Sequence, residues 1–353
     1  MFASPSVAPL TADFGPFAIL LKVQNTPLRE HPVSLAMEER SILGKTAREY
    51  PMTPLQKKML QDMGPGRVTL HYPLGGYTTF RAGGPVEALY EAHTLAELID
   101  LITFLAQEKI PYFVIGRGSN MLVSDDGLDA VAISLKGEFL TIEVAEGDAQ
   151  GLLVGAGTSI FDLLDHCRVH GLSGVEFLAG IPGTAGGAVA MNAGAFGREI
   201  GEKVAGVELI NGKGQKGWLN RERLHFFYRH FERPAGAVIT RVLFSLEKES
   251  GERIRQRIVE YLKKKKARQP LELPSAGSVF KNPPGHYAGK LIEEAGLKGK
   301  RIGGAMISPK HANFIVNTGQ AKAADILALI RTAREKVKAR FGVDLDLEIE
   351  VLG

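Results

Sequence analysis

Three side chains able to move a proton or hold a carboxylate stand far apart in the C-terminal part of this 353-residue chain. Ser278 lies in AGSVFKNP, between Gly277 and Val279, where a turn can aim a hydroxyl at a ligand. A free serine is a weak acid, so a proton it gives away must be relayed to it. Lys281 and Asn282 could polarise it or bind a substrate. On local sequence alone it is also an ordinary turn serine bonded to backbone. Arg229 sits among Phe226, Phe227, Tyr228 and Phe231. A guanidinium can fork onto a carboxylate and stay charged through a reaction, or simply stack on a ring at the surface. Glu348 occupies L-E-I-E-V, where strand alternation points it the same way as Glu350. By pattern alone both are solvated strand residues.

A second kind of chemistry belongs to backbone. Gly174–Gly197, GVEFLAGIPGTAGGAVAMNAGAFG, carries no charge after Glu176. Glycine is costly inside helices and strands, yet Val175, Phe177, Leu178, Ile181, Val189 and Met191 call for burial. A rigid, buried, glycine-rich segment suits close approach to an anionic ligand such as a diphosphate, whose oxygens want N–H donors. Tight turns in a packed core are the competing reading. GRGSNMLVSDDG, 116–127, has half of a dinucleotide fingerprint but lacks the third glycine and the following helix. It reads as a glycine loop between strands, with Ser119 and Asn120 free to bond phosphate or ribose.

The elements that must position these groups follow from periodicity. Residues 53–63 form a short amphipathic helix. Thr94 and Glu97 make a capping box for a helix to Glu108, with Leu95, Leu98, Ile99, Ile102 and Leu105 as its stripe. With strands Val86–Ala92 and Tyr112–Ile115 it gives a β–α–β start. Strands Ala130–Ser134, Leu140–Val144 and Gly151–Gly155 precede a helix from Ser159 to His170, closed by Gly171. Residues 204–219 form a hairpin turning at Asn211-Gly212. Strand Ala237–Leu246, helix Arg253–Arg268 and helix Gly289–Ala295 come next. Strand HANFIVN, helix Ala323–Phe341 and a terminal strand LDLEIEVLG complete the chain, with Ile326, Leu329, Ile330, Ala333 and Val337 on one face of the last helix. The final third reads as a separate α+β domain.

Composition is that of a soluble globular protein, with net charge +4 and a pI near 9.0. The mild excess suits small anionic ligands better than nucleic acid. The run Lys263–Lys266 reads as a solvated helix end. The single cysteine, Cys167, excludes an intramolecular disulfide and cysteine-ligated metal centres, and reads as a buried structural thiol. No metal site is expected. No segment is long enough to span a membrane, and Phe17–Val23 is too short and lacks a basic lead. Residues 1–51 read as a poorly ordered extension, with Met52 as an alternative start. A cytoplasmic enzyme is expected.

Five segments taken together resemble one family: GRGSNMLV at Gly116, the Gly174–Gly197 block, YRHF at Tyr228, AGSVFKNP at Ala276 and the terminal LEIEVLG. In family order over about residues 66–353, they are similar to the UDP-N-acetylenolpyruvoylglucosamine reductase (MurB) family of bacterial cell-wall synthesis. The resemblance implies an α+β fold: a vanillyl-alcohol-oxidase-type FAD-binding domain in two subdomains, plus a C-terminal substrate domain. The expected boundaries are an extension at 1–51, subdomains at 52–129 (with strand 343–353) and 130–268, and a substrate domain at 269–342. The short step from Arg229 to Ser278 leaves no room for the extra tyrosine loop of longer members, so the chain resembles the shorter type.

The resemblance also implies a reaction and its residues. NADPH reduces the flavin, and the flavin passes hydride to the enolpyruvyl group of UDP-N-acetylglucosamine enolpyruvate. Ser278 matches the proton donor, Arg229 the arginine beside the substrate carboxylate, and Glu348 the catalytic glutamate. Near a developing enediolate Glu348 should be protonated, which needs burial. Tyr228, Arg268, Lys281 and Asn282 are expected to contact substrate. Flavin contacts are expected from Gly116, Gly118, Ser119, Asn120, Gly180, Pro182, Gly183, Thr184, Gly187, Asn192 and Gly194. Neither glycine segment holds histidine or cysteine, so FAD should be non-covalent. No obligatory protein partner is implied. A flavin oxidase of the same superfamily and a non-catalytic nucleotide-sugar binder are the competing functions.

Overall fold

Strand Leu128–Leu135 is the centre of the first sheet, lying between Val86–Ala92 and Tyr112–Val114 and parallel to both. The expected β–α–β unit therefore exists, but its two strands are not neighbours. The expected boundary at 129–130 falls inside this strand. Val68–Tyr72 adds an antiparallel edge. The computed structural model describes residues 51–145 and 150–353, so the expectations placed on residues 1–50 lie outside the described residues.

The helix Leu95–Gln107 forms as its sequence dictates. Thr94 accepts from the Glu97 amide, and the Glu97 carboxylate accepts from the Thr94 amide. Leu98, Leu101, Ile102 and Leu105 are fully buried, while Leu95 and Ile99 pack at the margin.

The second sheet is antiparallel throughout, in the order Lys216–Asn220, Val204–Ile210, Val238–Ser245, Gly151–Gly155, Ile142–Val144. Helices Ile160–His170 and Gly251–Arg268 pack against each other beside it. One apolar core runs from the helix Leu95–Gln107 to Leu152, Phe177, Val207 and Phe244. Cys167 is part of it, and burial pushes its thiol up to about 12.

The last third has its own core. Ile326, Leu329, Ile330, Ala333 and Val337 of helix Ala323–Phe341 pack with Phe280, Leu291 and Ile315 around a three-stranded antiparallel sheet. The chain end then returns: Glu350–Leu352 pairs parallel to Met121–Val123, just after the first glycine loop.

Several local expectations give way to tertiary contacts. The hairpin after Ile210 has a five-residue loop, because Ile210 pairs with Lys216. Asn211 caps it by accepting from the amides of Lys213 and Gln215, and the left-handed residue is Gly214. Residues 137–140 form a 3-10 turn before a strand limited to Ile142–Val144. HANFIVN is strand only over Ile315–Asn317. The helix Gly251–Arg268 starts earlier than expected, at the cap Ser250. Its lysine run is not wholly solvated, since Lys265 is buried.

Candidate active site

A cleft of about 350 Å³ lies between the Ser278 loop, the Tyr228–Arg229 turn and the first turns of helix Ala288–Glu294. Ser278, Arg229 and Glu348, distant in sequence, all line it, as do Tyr228 and Asn282. Arg268 and Lys281 do not. Arg268 is exposed at its helix end.

The Ser278 loop is held by Asn313. The Val279 amide donates to the Asn313 carbonyl at 2.8 Å, and the buried Asn313 side chain exchanges two hydrogen bonds with the Phe280 backbone. Gly277 takes φ +78°, with open space where a Cβ would project. The Ser278 hydroxyl has no hydrogen-bond partner among the described residues, so it is not the backbone-bonded turn serine that local sequence also allowed. Nor do Lys281 and Asn282 polarise it. The Asn282 side chain accepts from the Ala288 amide instead.

Glu348 reaches the cleft from the terminal segment. Its amide donates to the Val279 carbonyl at 2.8 Å, and Leu347 bridges Phe280. It lies outside the strand Glu350–Leu352, so strand alternation does not set its direction. Asn120 ties it down as well, by donating from Nδ2 to the Glu348 carbonyl at 3.0 Å while its own carbonyl accepts from Glu350. One Asn120 donor thus serves Glu348, and its side-chain oxygen makes no hydrogen bond among the described residues that would compete with the expected phosphate or ribose contact. Burial pushes the Glu348 carboxyl above its ordinary range, against the pull of the Arg229 and Lys281 charges. Glu350 is raised by burial too, with Arg233 opposing.

Arg229 stands at the tip of a two-residue hairpin with φ +57°, a strained position for a side chain of its size. Nε donates to Glu348 Oε1 at 2.7 Å and Nη2 to the Gly194 carbonyl at 3.3 Å. Glu199 flanks it at 3.8 Å, and the guanidinium lies 4.9 Å from the Tyr228 ring centroid. It both stacks and pairs with a carboxylate.

The two glycine segments meet beside this cleft. A Cβ on Gly116 would strike Thr184 Oγ1 at 2.8 Å, and one on Gly183 would come no nearer than 3.9 Å to Ser119 Oγ. Gly118 and Gly180 adopt φ +60° and +73°. Thr184 caps the turn Ala185–Ala190 by accepting from the Gly187 amide. These bare backbones and hydroxyls fit a dinucleotide diphosphate. Asn192 fits it less well than expected: it is fully buried, and its amide is spent on Glu199, the Phe227 carbonyl and the Gly201 amide.

Sequence reasoning missed Asn313 and the cleft-lining Lys290, Lys310 and His311. The polar run SPKHAN before a strand was the available signal. Among the described residues no cluster could hold a metal, and no helix is long and apolar enough to cross a membrane.

A family model for the UDP-N-acetylenolpyruvoylglucosamine reductase C-terminal domain matches residues 269–352, and one for an FAD binding domain matches 86–219. A UDP-N-acetylenolpyruvoylglucosamine reductase of Caldanaerobacter subterraneus subsp. tengcongensis is 42% identical over 300 residues, covering 85% of this chain and 98% of that protein. Its counterpart from Moorella thermoacetica is 44% identical over 288 residues, covering 81% and 94%. The crystal structure of the Thermus caldophilus reductase (MurB) superposes with TM-score 0.69 at 43% identity, covering 81% of this chain and 98% of that one. With an α+β fold that joins an FAD-binding region to this C-terminal domain, the chain belongs to the UDP-N-acetylenolpyruvoylglucosamine reductase family.

Proposed function

We propose that the protein reduces UDP-N-acetylglucosamine enolpyruvate to UDP-N-acetylmuramate for peptidoglycan precursor synthesis, with NADPH as reductant. The observation that carries the chemistry is the meeting of Arg229, Glu348 and an unpartnered Ser278 hydroxyl in one cleft. Bound FAD supplies the hydride. Gly116, Gly118, Ser119, Asn120, Gly180, Pro182, Gly183, Thr184, Gly187 and Gly194 are the residues to hold it, and neither histidine nor cysteine is among them.

Arg229 grips the substrate carboxylate. Its guanidinium stays charged while negative charge builds there, and Gly194 and Glu199 keep it in place. Glu348, raised by burial, takes a proton and donates a hydrogen bond to the developing enediolate. Ser278 gives a proton to the carbon beside the carboxylate and recovers one from solvent. Tyr228 and Asn282, which line the cleft, hold the substrate, and Lys281, whose charge acts on Glu348, and Arg268 are the further residues to contact it. The cytoplasm is the compartment that fits these ligands.

The test is one assay on the purified protein. A yellow protein that releases FAD on acid denaturation and oxidises NADPH only with the enolpyruvyl substrate supports the reading. Oxygen consumption without that substrate would indicate an oxidase, and a colourless protein binding the UDP-sugar a non-catalytic binder.

A further inference from the structure

Asn192 belongs to the glycine-rich block, yet every hydrogen bond of its side chain leads to the surroundings of Arg229. Nδ2 donates to the Phe227 carbonyl at 2.9 Å, two residues before the arginine, and to Glu199 Oε2 at 2.6 Å. Oδ1 accepts from the Gly201 amide at 3.1 Å. The residue is fully buried and sits at φ +41°, in the left-handed region that asparagine tolerates better than most side chains.

The partners of Asn192 touch Arg229 or its hairpin in turn. The other oxygen of Glu199 lies 3.8 Å from Arg229 Nη1. Gly194 accepts from Arg229 Nη2 at 3.3 Å, and a Cβ on it would come 2.9 Å from Nη1. A Cβ on Gly201 would strike the Phe226 ring at 2.6 Å, and Phe226 stacks on Phe231 at the base of the hairpin. Residues 192–201 therefore form a fitted seat for the Tyr228–Arg229 turn. That turn needs one. Its strands pair only Phe226 with Phe231 and Phe227 with His230, too little to be stable alone. A long side chain at φ +57° persists only where its surroundings over-determine it.

We propose that Asn192 is a positioning residue for substrate reduction: it bonds both the backbone beneath Arg229 and the carboxylate beside it, and so aims the guanidinium at the substrate carboxylate. Asn192 itself touches neither substrate nor flavin. This deepens the reading in which Arg229 grips that carboxylate, and rests on it.

The experiment compares wild type, Asn192→Gly, Asn192→Asp, Arg229→Lys and the double variant Asn192→Gly with Arg229→Lys. Glycine deletes the side chain and suits the left-handed backbone. Aspartate keeps the shape and the oxygen for Gly201 but loses both donations. Binding of the enolpyruvyl substrate to each oxidised holoenzyme is read from the flavin absorbance change. FAD affinity is read separately, by fluorescence titration of the stripped proteins. Each single Asn192 variant should bind substrate at least about tenfold more weakly, as expected for a lost bond to a charged group. FAD affinity should stay within about threefold of wild type. Lysine has no planar fork to aim, so on the Arg229→Lys background the loss of Asn192 should cost less than about threefold.

Wild-type substrate affinity in both single Asn192 variants would overturn the proposal. So would an equal loss on the Arg229→Lys background, which would mean that Asn192 acts independently of the guanidinium. A parallel fall in FAD affinity would make it a flavin contact, and failure of both variants to fold would make it structural; either result sinks the proposal. A wild-type holoenzyme that binds no enolpyruvyl substrate would instead sink the functional reading on which it rests.

Discussion

Two arginine–glutamate pairs of nearly equal length behave in opposite ways. Arg257 and Glu176 meet at 2.9 Å, Arg229 and Glu348 at 2.7 Å. Burial raises both carboxyls, yet Glu176 ends below its ordinary range and Glu348 above it. The number of donors decides. Glu176 is held by its own amide, Arg257, the Gly174 amide and Ser173, which together outweigh burial. Glu348 receives one bond from Arg229, and burial wins. A fully satisfied pair fixes an ion; a single bond in a cleft leaves a carboxyl able to take a proton. A third pair, Arg255–Glu252 at 2.8 Å, lies on the exposed face of its helix. There Arg255 and Gln256 pull the carboxyl below its ordinary range, but solvent screens these contacts, so little stability follows.

The largest effect should come from the cleft. Glu348→Gln keeps a donor but misplaces it. Reduction of the substrate should slow by about 10²- to 10³-fold, while flavin reduction by NADPH survives, both read by stopped-flow absorbance. Equal damage to both steps would make Glu348 structural. The same variant should not lose stability at neutral pH. With its folded pKa raised, wild-type Glu348 costs stability as pH climbs from the unfolded pKa through the folded one, and glutamine removes that cost.

Glu176→Gln should do the reverse: near-normal chemistry, but a stability loss of about 1.5 kcal/mol in urea melts at pH 7, since the buried carboxylate loses its charge-assisted bonds while Arg257, 35% exposed, keeps Glu249. The sign follows from a depressed pKa. The contribution is complete above the unfolded value and is lost as pH falls through the folded one. The gap to wild type should therefore shrink below roughly pH 4. A gap that is constant with pH would mean that packing, not charge, was lost. The smallest effect is at the surface: Glu252→Gln should leave the melting temperature unchanged, because exposed pairs are screened. A clear drop there would break the burial argument.

The site was legible where a motif keeps its residues together. Gly277, Ser278 and Asn282 fall in one short run, and Thr94–Glu97 or Ser159 with Gly171 announce their helices by local bonds alone. What sequence could not show depends on distant partners. Glu348 reads as one of two solvated strand glutamates until the Ser278 loop and Asn120 are seen to hold it. Lys265 reads as solvated within a lysine run, because nothing local reports that Gly180 lies beside it. Asn211-Gly212 reads as a two-residue turn, but pairing of Ile210 with Lys216 fixes a longer loop.

The central claim is that Ser278 gives the proton in substrate reduction and has no part in flavin reduction. Ser278→Ala removes one oxygen from a loop held by Asn313, so the fold and the cleft should persist. Stopped-flow absorbance should then show flavin bleaching by NADPH at close to the wild-type rate. Reoxidation of the reduced flavin by the enolpyruvyl substrate should be slower by about 10²- to 10⁴-fold. Reoxidation at the wild-type rate in Ser278→Ala would contradict the account.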